Sequence, residues 1–168
     1  MKILEPTQII TAFHPAIFLA GPATGTYDWQ NVAISEFKQL AKRYNSTDFV
    51  IANPRTYQQN DNFDISAQTE WEYYYLREAS FSGCIMFWLA KETKKIPNRG
   101  YARTTRFELG EFLAKAEADD DINLRIGIES GFEGEEYIKE KIGLMGYDKT
   151  VHNDLKNLCV DVFENIIF

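Results

Sequence analysis

The chain has little with which to hold a metal or a disulfide framework: of its 168 residues, two are cysteines and two are histidines. Cys84 lies in an apolar, strand-like run and Cys159 in the last helical segment. Neither has a metal-ligating neighbour at useful spacing, so both read as reduced core residues. His14 and His152 pair with no Cys, Asp or Glu in a metal pattern, and no metal and no cofactor is expected. Positive charge is also short. The 18 lysines and arginines stand against 25 aspartates and glutamates, a net charge of −7, which argues against an extended phosphate-binding surface and against polymeric nucleic acid as a partner. No apolar run approaches the length of a membrane span, and the N-terminus lacks a basic stretch followed by an apolar one, so no membrane partner and a cytoplasmic setting are expected. Missing too is the three-glycine dinucleotide fingerprint, since the first loop has only Gly21 and Gly25, and no Gly-Lys-Ser/Thr phosphate loop occurs. Nicotinamide redox chemistry and nucleoside triphosphate hydrolysis lose ground accordingly.

What the chain does have is core. With 45% hydrophobic and 14% aromatic residues, residues 1–168 suffice for one domain with a sizeable interior. Short apolar runs alternate with amphipathic segments, the pattern of a parallel sheet covered by helices on both faces. Strands are expected at Ala16 to Ala20, Phe49 to Ala52, Cys84 to Leu89 and Leu124 to Ile128, with a short extended piece near Tyr147. Helices are expected from about Trp29 to Tyr44, Ser66 to Ser80, the Glu108 region to Ala118, Glu135 to Ile142, and His152 to Ile166. This makes a three-layer α/β domain, Rossmann-like in class, with a mostly parallel sheet of about five strands flanked by helices.

In such sheets ligands bind outside the carboxyl ends of the strands, at the point where the strand order reverses. The loops that gather there contain Gly21-Pro22, the segment Thr24 to Asp28 with Trp29 after it, Asn53-Pro54-Arg55, Trp88 and the loop after it, Glu108, and the loop Glu129 to Phe132. Thr105-Arg106-Phe107-Glu108 has the form of a capping box, which gives Glu108 a purely structural role at a helix start. Gly110 pulls the other way: a glycine inside a helix costs about 1 kcal/mol relative to alanine, which suggests a close approach to the backbone there. Glu72 shares a helical stripe with Leu76 and Ala79, placing an acid on a core-directed face. A salt bridge to Arg77 or a solvated rim position is the plain alternative. Trp71, Tyr74 and Tyr75 crowd the same helix and read as packing, although a planar ligand would find faces among them.

The succession Ile17-Phe18-Leu19-Ala20-Gly21-Pro22, Asn53-Pro54-Arg55, Trp71-Glu72, Phe87-Trp88 and Arg106-Phe107-Glu108-Leu109-Gly110 resembles the nucleoside 2-deoxyribosyltransferases and their relatives, in order, from about Ile17 to Tyr137. The resemblance implies a flavodoxin-like sheet and a pentosyltransferase that acts on N-glycosidic bonds in nucleotide salvage. Nucleobases would be exchanged on 2′-deoxyribonucleosides through a covalent glycosyl-glutamate, with net retention, water giving hydrolysis instead. Glu108 matches the nucleophile, held ionised by a place in the first helical turn. Glu72 matches the second acid, usually Asp, which helps protonate the departing base. Substrate-binding residues are then Gly21, Pro22, Asp28, Trp29, Asn53, Arg55, Trp71, Trp88, Arg103 and Arg106.

The chain departs from the pattern where classical members carry a sugar-binding acid before the nucleophile; here Ala102 and Arg103 stand there. Arg55, Arg99, Arg103 and Arg106 could make the mouth of the site locally positive. That raises the alternative of a nucleoside 5′-monophosphate N-glycosidase, since an arginine binds phosphate bidentately; pairing with nearby acids is the plain expectation for at least two of the four. A non-catalytic nucleotide-binding or sensor domain is the other alternative. Expected partners are small-molecule nucleosides and nucleobases, and further copies of the chain in a homo-oligomer.

Overall fold

The computed structural model describes residues 1–10, 14–56, 64–147 and 149–167, residue 167 by its backbone alone. Residues 57–63 of the expected polar loop after Arg55, and the terminal Phe168, lie outside the described residues. The central apolar runs become strands because each is buried on both faces, the habit of a parallel sheet sandwiched between helices, and a short, partly exposed strand lies at each edge. These are β1 (Lys2–Leu4), β2 (Ala16–Ala20), β3 (Val50–Ala52), β4 (Cys84–Leu89), β5 (Leu124–Ile128) and β6 (Val151–His152). All pair in parallel, in the order β1-β3-β2-β4-β5-β6. Among the described residues four helices make the crossovers from β2 onward, α1 (Trp29–Tyr44), α2 (Ile65–Ser82), α3 (Arg103–Ala118) and α4 (Glu135–Leu144), and a fifth, α5 (Leu155–Ile167), follows β6. The result is a three-layer α/β domain of flavodoxin or Rossmann type. None of these helices is long and apolar enough to cross a membrane.

Alternation along the strands divides the interior into two cores. Phe18, Ile85, Phe87, Leu89 and Ile126 pack beneath α2, α3 and α4. Ile17, Leu19, Met86 and Trp88 pack beneath α1 and α5. Local signals set the helix ends. Asp28 accepts a hydrogen bond from the Asn31 N–H at 3.1 Å to open α1, Asp64 accepts from Ser66 and Ala67 to open α2, and Asn45 closes α1 in the left-handed conformation.

The edges differ from expectation. Among the described residues the sheet has six strands, because the three-residue β1 pairs with β3, Lys2 opposite Val50, and so short a strand carries no periodicity to read. The extended piece expected near Tyr147 lies at Val151–His152, so His152 belongs to β6 and α5 begins at Leu155. Asp154 accepts from the Asn157 N–H at 2.9 Å and starts that helix. His152 instead bonds Asp161 at 2.9 Å, and Arg125 reaches the same carboxylate at 3.3 Å, which accounts for an arginine side chain within β5. Cys84 and Cys159 are both free and buried.

Candidate active site

The strand order reverses between β2 and β4, and a cavity of about 630 Å³ opens beyond their carboxyl ends. Its walls come from the loops after β2, β3 and β4 and from the first halves of α2 and α3. Two glycines shape it. A Cβ on Gly21 would stand 2.4 Å from the Trp88 carbonyl oxygen and 2.5 Å from the Trp29 ring, so only glycine lets the chain leave β2 there. Gly25, with φ +79°, turns its carbonyl to accept from the N–H groups of Thr93 (2.8 Å) and Lys94 (3.1 Å), stitching the β2 loop to the β4 loop.

Glu108 enters this cavity from α3, but not as the cap of a helix. The helix begins at Arg103, behind Ala102 in the left-handed conformation (φ 53°), with no side-chain capping bond. Thr105 is buried inside the first turn, so the expected capping box is not formed. The helix starts early because the Ala102 carbonyl already accepts from the Arg106 N–H at 3.0 Å. Glu108 is therefore the sixth helical residue, beyond the unpaired N–H groups of the helix start, and the expectation that the dipole holds it ionised fails. Burial first, then the neighbouring Glu72 and Glu111, push its carboxyl from the ordinary 4.5 up to about 7. Gly110 does not mark a close approach either: its face of the helix is exposed, and an added Cβ would meet nothing within 4 Å.

Glu72 comes from α2. Residues Ile65, Gln68, Thr69 and Glu72 form a stripe at i, i+3, i+4 and i+7 that faces the cavity, and the stripe passes into the core at Leu76 and Ala79. Burial raises the Glu72 carboxyl above its usual range, while Gln68 opposes the rise by donating from Nε2 to Oε1 at 2.7 Å. Glu72 forms no ion pair among the described residues; Arg77 lies over the Tyr73 ring instead, 5.8 Å from its centroid. Two half-buried carboxyls thus share one cavity. Glu72 adds to the rise at Glu108, and such a pair divides naturally into one acid and one base or nucleophile.

No family model and no curated protein matches this chain.

Of the residues expected at the site, the cavity brings together Gly21, Pro22, Arg55, Glu72, Arg103 and Glu108. The other six stand behind or beside it, for reasons the fold makes plain. Trp88 alternates with Phe87 and Leu89, so it faces the α1/α5 core, where its Nε1 donates to the Tyr27 hydroxyl at 3.2 Å. Trp29 is in the same core, and its Nε1 donates to the Pro22 carbonyl at 2.9 Å, supporting the loop from below. Trp71 packs on Phe18 and donates to the Gln8 carbonyl at 2.7 Å. Asn53 is buried, its Oδ1 accepting from the Arg55 N–H, and Asp28 pairs with Arg55 at 3.4 Å. Arg106, two residues from Glu108 and so across the helix, lies over Phe132 and donates to the Glu133 carbonyl at 2.6 Å.

Arg55 and Arg106 are thus engaged by protein groups, as the plain expectation for two of the four arginines holds. Arg99 and Arg103 line the cavity and form no ion pair among the described residues. Sequence reasoning missed Gln68 and Tyr101. The Tyr101 hydroxyl donates to the Ala90 carbonyl at 2.6 Å, and burial pushes its phenol up to about 12. The signal for Gln68 was available: it stands four residues before Glu72 on one helix face.

Proposed function

We propose that the protein is a nucleoside 2-deoxyribosyltransferase, a pentosyltransferase that exchanges the nucleobase of a 2′-deoxyribonucleoside. The observation that supports this best is the pair Glu108 and Glu72, raised together in one cavity of nucleoside size at the switch point of the sheet. The ionised Glu108 carboxylate attacks C1′ of the sugar. The C1′–N bond breaks, its electron pair leaves with the base, and the base takes the proton that Glu72 has held. A second base then attacks C1′ from the face the first one left and gives its N–H proton to the Glu72 carboxylate, the C1′–O bond to Glu108 breaks, and the Glu108 carboxylate returns. Two inversions give net retention. In this reading the protein serves nucleotide salvage and works as a homo-oligomer.

One observation favours a second reading. Arg99 and Arg103 at the cavity wall have no acidic partner among the described residues, and a 5′-phosphate would suit them, which would make the protein a nucleoside 5′-monophosphate N-glycosidase. A chromatographic assay separates the two. Purified protein is given 2′-deoxynucleosides with and without a second free base, and 2′-deoxynucleoside 5′-monophosphates in parallel. The expected outcome is a new deoxynucleoside that forms only with acceptor base, at a rate that falls by about 10⁴-fold or more in Glu108→Ala. Base release from the monophosphates alone would move the assignment to the hydrolase, and inactivity on every substrate would leave a binding domain.

A further inference from the structure

The Gln68 side chain is held by contacts that serve Glu72 rather than itself. Its Nε2 donates to Glu72 Oε1 at 2.7 Å and reaches the Pro54 carbonyl oxygen at 3.3 Å. A peptide carbonyl only accepts, so the nitrogen, not the oxygen, belongs on that side. The amide oxygen is buried and has no hydrogen-bond partner among the described residues. A buried acceptor left unpaired is unfavourable, so the amide's own hydrogen bonding does not explain its place. What the arrangement achieves is a tether: the Pro54 carbonyl, two residues past β3, fixes the amide, and the amide fixes the carboxyl one helical turn on.

The bond also changes in strength during the reaction read above. Glu72 has no cation beside it among the described residues, and burial disfavours its charged form. When its proton passes to the departing base, a carboxylate is left in that setting. An N–H donor already aimed at Oε1 binds this carboxylate more strongly than it binds the neutral acid, so the contact tightens as the C1′–N bond breaks.

We propose that Gln68 is a positioning residue for leaving-group protonation, orienting Glu72 and stabilising the carboxylate that remains once the base has taken the proton. This rests on reading the cavity as a site of glycosyl transfer. The role is specific to bases that need a proton in order to leave.

The test compares two leaving groups. Wild type, Gln68→Met and Glu72→Gln are assayed on 2′-deoxyadenosine and on 7-methyl-2′-deoxyguanosine, whose base is already cationic and leaves without a proton. Gln68→Met is expected to lose about 10- to 100-fold in kcat on deoxyadenosine, with KM little changed, and less than about 3-fold on the methylated substrate. Glu72→Gln should show the same selectivity with a larger loss. Equal losses by Gln68→Met on both substrates, or no loss on either, would overturn the proposal. A second measurement stands apart from turnover: carbon NMR titration of the Glu72 carboxyl, which should titrate at higher pH in Gln68→Met than in wild type. If wild type cleaves neither substrate, the transferase reading falls; an upward titration shift would still support Gln68 as the group that sets Glu72, and an unmoved titration would overturn it.

Discussion

The two helical layers of this protein are built differently. In the α1/α5 layer, Trp29, Ala33, Ile34, Phe37, Leu40 and Ala41 form one continuous stripe at helical spacing, and Leu155, Leu158, Cys159, Val162 and Phe163 answer it from α5. The two helices pack on each other as well as on the sheet. In the α2/α3/α4 layer the stripes are broken. The first half of α2 gives its inward face to the cavity, α4 buries only Ile142, and large side chains stand in solvent: Tyr73 is 57% exposed, Phe107 75% and Tyr137 74%. Both carboxyls of the candidate site belong to this second layer. Labour is divided between the layers: one face of the sheet supplies packing, and the other gives up packing for a cavity able to hold acids at raised proton affinity.

The largest test of that division is Phe37→Ala. Phe37 is fully buried, with Phe49 edge-on at 6.4 Å and Phe163 beyond it. Its truncation should cost about 3–5 kcal/mol of unfolding free energy in a denaturant titration, while the activity per folded molecule stays at the wild-type level. A matching loss of activity in molecules shown to be folded would erase the distinction between the layers.

A smaller effect of opposite sign sharpens it. Because the Glu108 carboxyl titrates at about 7 rather than at its ordinary 4.5, the folded state binds more protons than the unfolded state between those values, and stability falls as pH rises through that window. Glu108→Gln removes this penalty. The variant should be more stable than wild type by about 1–2 kcal/mol at about pH 8, roughly 3–6 °C in Tm, and no more stable at about pH 4. Thermal melts at the two pH values check this, and a variant destabilised at pH 8 would contradict the account.

How far the sequence could be read follows from the same contrast. The boundaries of α1, β4 and β5 were legible for three different reasons: α1 carries an apolar stripe at helical spacing, β4 is an unbroken apolar run, and Leu124, Ile126 and Ile128 alternate in β5. Glu72 was legible as a site residue because an acid on a core stripe is conspicuous. Trp88 was not placeable. In β4 every residue from Cys84 to Leu89 is buried, so nothing in the sequence tells which set of alternating side chains faces the cavity. Thr105 misled for a related reason: four residues matched a capping box, but the left-handed Ala102 opened the helix before the box could form. The environment of Glu108 could not be read from one helix at all, since burial and Glu72 raise its proton affinity from across the cavity.

In the proposed exchange Glu108 bonds to the sugar. Mixing the protein with a 2′-deoxynucleoside in the absence of acceptor base, quenching in acid and measuring the mass of the proteolytic peptides tests it directly. One added deoxyribosyl group is expected on the peptide that contains Glu108, absent in Glu108→Gln and lost when a free base is added before the quench. Base exchange proceeding with that peptide unmodified, or with the sugar on Glu72, would contradict it.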